Sequence, residues 1–148
     1  MASLTTTNIY IAILKRDERS HFEDQLVLDC VDVSCFSSAR DLWEHFQIRP
    51  ARYVITDRRF GDDFDGLELV RRIRRNYQLP YVYVLMRGAM CQIGEIKEGL
   101  DLGVNDYLLF PHNPIQIRSR VLVGMRWITY IDSVTGSPMT EATAAARA

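Results

Sequence analysis

The sequence predicts an α/β fold, a five-stranded doubly wound parallel sheet with helices on both faces. Short apolar, largely β-branched runs recur five times along the chain, segments with helical spacing of apolar residues separate them, and the joins are short. Strands this apolar cannot face water, so both faces of the sheet need cover, and strict alternation of strand and helix gives right-handed crossovers.

The first strand is Ile9 to Leu14, a continuous apolar run that stops abruptly at Lys15-Arg16-Asp17-Glu18. Asp17 is placed to cap a helix over about Glu18 to Asp29 that carries Phe22 and Leu26 on one stripe. Val31 to Phe36 alternates as a short strand, and Ser37-Ser38 offer caps for a helix with Leu42, Trp43 and Phe46 on one side, ended by Pro50. Tyr53 to Thr56 is a buried strand ending at Asp57, and the loop Arg58 to Asp65 leads through Gly66 into a helix with Leu67, Leu69, Val70 and Ile73. After Leu79-Pro80 come a strand over Tyr81 to Met86, a helix around Gln92 to Leu102, a strand over Asp106 to Phe110 and a long helix from near Pro114.

With 148 residues, 47% hydrophobic and 25% charged, the chain has material for one well-buried core and not for two ordinary domains. We expect a disordered stretch over residues 1–8, the folded domain over 9–130, and a linker or tail over 131–148, whose small, polar composition buries no core. A net charge of -1 supplies no global field toward nucleic acid or an anionic membrane, so neither is an expected partner. Cys30, Cys35 and Cys91 are odd in number and lack CxxC spacing, which reads as buried thiols in a reducing compartment. Neither a secretory leader nor an apolar run of membrane-spanning length is present, and a cytoplasmic location is the expectation.

In a doubly wound sheet, ligands sit outside the carboxyl ends of the strands. Here that selects Lys15 and Arg16, Asp57, Leu85 and Met86, and Phe110-Pro111. Thr56-Asp57 at a strand end, a loop ending Asp65-Gly66-Leu67-Glu68-Leu69, then Leu79-Pro80 and Gly103-Val104-Asn105-Asp106-Tyr107-Leu108, closely resembles the response regulator receiver family over roughly Ile9 to Tyr130. The resemblance implies a (βα)5, flavodoxin-like sheet. It also implies two-component phosphorelay signalling, a phosphoacceptor at Asp57 and an aromatic switch at Tyr107.

The departures bear on the chemistry. The family's first strand ends in an acidic pair that holds magnesium, whereas this one ends in Lys15-Arg16, two fixed cations that repel a divalent ion. Phe110 replaces the family's lysine and offers neither charge nor donor. Counted from Pro80, the family's Thr-Ala falls on Leu85-Met86, followed by Arg87-Gly88, so the hydroxyl is missing as well. Phosphoryl transfer rests on positioning and charge neutralisation, and these losses together slow it greatly. The sequence therefore reads as an atypical receiver, non-enzymatic and without a cofactor, in which Asp57 forms an internal salt bridge with Lys15 or Arg16. Two rescue readings stand beside it: Asp17 and Glu18 as metal ligands, or Lys15 and Arg16 as direct phosphoryl-oxygen ligands. Magnesium enters only if the pocket is functional.

Other features read more plainly. Asp62, Asp63 and Asp65 form a solvated acidic turn, and Arg58, Arg59, Arg71, Arg72, Arg74 and Arg75 a solvated or partner-docking face without the aromatic interleaving of base stacking. His21, His45 and His112 lack ligand spacing. The last helix, with Ile117, Val121, Met125 and Trp127 to Ile131, is more apolar than one face requires, which favours a homodimer or a partner through the last strands and helices. Asp132 to Gly136 resembles the DxxTG opening of diguanylate cyclase domains, a sign of a longer parent chain. Protein partners, a histidine kinase or an output domain, are the expectation.

Overall fold

The structure is a computed structural model, and it describes residues 8–27, 31–76, 78–89 and 93–135. Five strands, β1 (Asn8–Ala12), β2 (Asp32–Phe36), β3 (Tyr53–Asp57), β4 (Tyr83–Gly88) and β5 (Asp106–Leu109), alternate with five helices, α1 (Arg16–Val27), α2 (Ala39–Ile48), α3 (Gly66–Arg75), α4 (Ile93–Leu102) and α5 (Pro114–Thr135). All strand pairs are parallel, in the order β2-β1-β3-β4-β5. The order reverses at β1, so the adjacent ends of β1 and β3 open onto the switch-point crevice.

Strand residues alternate between two cores because successive side chains point to opposite faces. Ile9, Ile11, Tyr53, Ile55, Tyr83 and Leu85 join Phe22 and Leu26 of α1 and Ile117, Val121 and Ile128 of α5. Tyr10, Ala12, Val54, Val84 and Met86 join Leu42 and Phe46 of α2 and Leu69, Val70 and Ile73 of α3. Two local signals set helix starts: Ser38 accepts from the Asp41 N–H ahead of α2, and Asp65 accepts from the Glu68 N–H ahead of α3. Close approach requires glycine at two places. A Cβ on Gly66 would lie 2.2 Å from the Asp57 carbonyl oxygen, and one on Gly124 would meet the Tyr53 hydroxyl at 2.5 Å and both tyrosine rings at 2.6 Å.

Several boundaries differ from the sequence reading. β1 leaves the ladder after Ala12, and α1 begins already at Arg16, so Asp17 lies inside the first turn instead of capping it. β4 begins at Tyr83 and runs on through Arg87 to Gly88, which shifts its end outward from Met86. α5 continues past Tyr130 to Thr135, so the domain boundary expected at residue 130 falls inside a helix. The expectations for residues 1–7, Cys30, Cys91, Gln92 and Gly136 lie outside the described residues. Cys35 is partly buried; its thiol donates to Glu23 and is pushed up to about 12 by burial and by that carboxylate.

Candidate functional site

Asp57 ends β3 and Arg87 lies directly beside it, since Asp57 pairs with Arg87 in the register of β3 and β4. Both residues share the pleat parity of Ile55 and Leu85, which directs them to the α1 and α5 face of the sheet. Arg87 donates from Nε to Asp57 Oδ1 at 2.7 Å and from Nη2 to Glu18 Oε2 at 2.7 Å. The other carboxylate oxygen of Asp57, Oδ2, accepts from the Leu14 backbone N–H at 3.0 Å. Asp57 is 8% exposed and Arg87 only 2%.

Aromatic rings wall this ion pair. The Arg87 guanidinium lies 4.4 Å from the centre of the Phe110 ring and 5.5 Å from that of Phe22. His112 packs against Phe110 at 5.1 Å, nearly parallel, and edge-on to Phe22 at 5.6 Å. Burial and the Arg87 charge push His112 below the usual histidine range, while Glu18 opposes them. A buried cation therefore sits between two carboxylates and two rings, with its remaining faces shielded from water. That shielding makes each charge-assisted bond stronger than at an open surface.

The structure corrects the expected salt bridge. Lys15 and Arg16 are exposed, and among the described residues neither pairs with Asp57. The reason is geometric. After Ala12 the chain turns through Ile13 and Leu14, presenting the Leu14 N–H to Asp57, and α1 starts at once with Arg16 directed outward. Leu85 and Met86 are also displaced from the positions expected of them. Leu85 has the right face but lies two residues deeper, opposite Ile55, and Met86 points into the core on the other side. Phe110 does border the site, as a ring over Arg87. Sequence reasoning missed Arg87 as the partner of Asp57 and missed His112 beside it. No local signal marks Arg87, because only the register of β4 against β3 brings residue 87 level with residue 57.

Tyr107 is 8% exposed, and its ring fills a hollow under α4 where a Cβ on Gly99 would lie 1.7 Å from the tyrosine hydroxyl. The arginine stretch has separate destinations. Arg71 and Arg72 pair with Glu68, Arg58 reaches the Glu95 carbonyl and the Glu98 carboxylate, and Arg74 donates to Gly103 and Asn105. Asp62 accepts from the Phe64 N–H and Asp65 caps α3, so both serve the loop's own backbone.

The donor set does not fit magnesium. The two carboxylates at hand, Asp57 and Glu18, both bind the Arg87 guanidinium, whose fixed charge occupies the space between them. A divalent ion prefers several free carboxylate or water oxygens and is repelled by such a cation. Among the described residues, no group of three acidic, histidine or cysteine side chains is placed to hold a metal.

A five-stranded parallel sheet with an aspartate at the end of its third strand, beside the switch point, defines a receiver-type fold. The chain matches the family model of the response regulator receiver domain over residues 16–122 and belongs to that family. It is 32% identical over 79 residues to the regulatory protein VanRc of Enterococcus gallinarum, covering 53% of this chain and 33% of that protein. The chain thus spans about a third of the length of that curated relative. A response regulator structure from Chloroflexus aurantiacus superposes with a TM-score of 0.75 at 21% identity, covering 82% of this chain and 99% of that one. A two-component system response regulator/GGDEF domain protein gives 0.76 at 24% identity, covering 84% of this chain and 51% of that one. Likeness at these identities concerns the fold.

Proposed function

We propose that this chain is an atypical receiver in two-component signalling whose acid pocket is neutralised internally by Arg87, and that it works as a protein-interaction switch without magnesium-dependent phosphorylation. The buried Asp57–Arg87–Glu18 arrangement carries this reading. Phosphoryl transfer to a carboxylate needs charge neutralisation of the incoming group and an approachable oxygen. Here Arg87 neutralises the carboxylate itself, and both Asp57 oxygens already accept hydrogen bonds. The role is one of binding, not of catalysis.

Asp57 is the phosphoacceptor only on the alternative reading tested below, and Tyr107, packed inward beneath α4, is the candidate switch residue. A histidine kinase or an output domain is the proposed partner. Leu122, Val123, Trp127 and Tyr130 are exposed apolar residues on α5, the kind of surface through which a second copy or a partner docks.

The test is mass spectrometry of the protein after exposure to acetyl phosphate, with and without magnesium. No phosphoryl adduct at Asp57 is expected in either arm. Rapid, magnesium-dependent labelling of Asp57 would establish the alternative, an active phosphoacceptor served by a histidine kinase, and end this proposal.

A further inference from the structure

At the opposite end of the sheet from Asp57, a second ion pair ties the end of α5 to the body of the domain. Arg52, immediately before β3, donates from Nη2 to Asp132 Oδ1 at 2.6 Å and from Nη1 to Asp132 Oδ2 at 3.0 Å. Its Nε donates to the Tyr81 carbonyl at 2.9 Å, and its own carbonyl accepts from the Tyr83 N–H at 2.9 Å. Tyr81 in turn is held by the Asn105 side chain at its hydroxyl and by the Arg74 guanidinium over its ring at 4.9 Å. The arginine is therefore oriented before it meets the carboxylate. A two-pronged pair on a preorganised side chain loses less entropy than an ordinary surface pair of flexible chains.

The helix depends on such a tie at its far end. The residues of α5 buried against the sheet are Ile117, Val121, Gly124 and Ile128, and none beyond Ile128 is buried. Ser133, Val134 and Thr135 are exposed, and a helical end with little packing frays in water. Ile131 and Asp132 are half-buried, and the pair is a two-pronged polar contact holding this turn down.

We propose that Arg52–Asp132 is a latch that keeps the last two turns of α5 helical and fixed in direction. A partner or segment joined to that end meets a rigid shaft while the latch is closed and a loose one when it opens. Movement at the start of β4 or β5 reaches the latch through Tyr81, which Arg52, Arg74 and Asn105 all touch.

Hydrogen exchange of the full chain, read by mass spectrometry, tests this. In Asp132→Asn and in Arg52→Met, amides of residues 130–135 should exchange about five- to tenfold faster than in the unmodified protein, with β3 and β4 unchanged. At residues 130–135 the double variant should be no faster than Arg52→Met alone, since Asp132→Asn removes only the pair that Arg52→Met already removes. Unchanged exchange at 130–135 in Asp132→Asn would overturn the latch, and so would acceleration spread equally over β3 and β4. Asp132→Asn alters only a half-buried helix-end side chain, so loss of folding does not blur the result.

Discussion

Replacing Arg87 with methionine keeps most of the side chain's volume and removes its charge. The Asp57 carboxylate, 8% exposed, then loses its counter-ion and keeps the Leu14 N–H. Breaking a buried pair from one side costs about 3–5 kcal/mol. The low end applies here, because Asp57 lies at a strand end near solvent, and we expect about 3 kcal/mol, or roughly 10 °C in Tm for a domain of this size. Asp57→Asn should cost less, about 2 kcal/mol, because Arg87 keeps Glu18. If the two side chains form one unit, the double variant should lose no more than Arg87→Met alone, a coupling of about 2 kcal/mol. Urea unfolding of the four proteins, followed by circular dichroism, measures it. Coupling below about 0.5 kcal/mol would refute the reasoning that Arg87 is the internal counter-ion of Asp57.

Two further expectations concern packing and pH. Gly124→Ala should destabilise by about 1–3 kcal/mol in the same assay, because overpacking against the Tyr53 and Tyr83 rings outweighs the roughly 1 kcal/mol gain in helix propensity. His112 binds its proton less readily in the folded than in the unfolded protein, so the unfolded state takes up more protons as pH falls. The stability associated with its neutral form is complete above the unfolded value near 6.5 and declines as pH drops below it. His112→Phe should therefore flatten the fall of Tm between about pH 7 and pH 5, and an unchanged slope would remove His112 as its source.

The alternation of apolar runs and helical stripes made the sheet legible, because a strand buried on both faces needs residues such as those of Tyr53 to Thr56 and tolerates few others. Asp57 was legible too, as the polar residue ending such a run. Strand ends were less so. Val82 and Leu85 look equally buried in the sequence, and nothing local says that the ladder of β4 continues through a charged residue at 87. Arg87 reads locally as a loop arginine.

The sequence by itself determined the α/β class and the five-fold alternation of strand and helix. It did so because periodicity and residue type are local properties. Tertiary structure alone decided which groups surround Asp57. Lateral register between β3 and β4 sets Arg87 level with Asp57, the turn after Ala12 sends Lys15 and Arg16 outward, and α1 brings Glu18 from 69 positions away to the same guanidinium. Charges that distant in the chain become partners only once the sheet and its helices are assembled, since burial and register are properties of the whole fold.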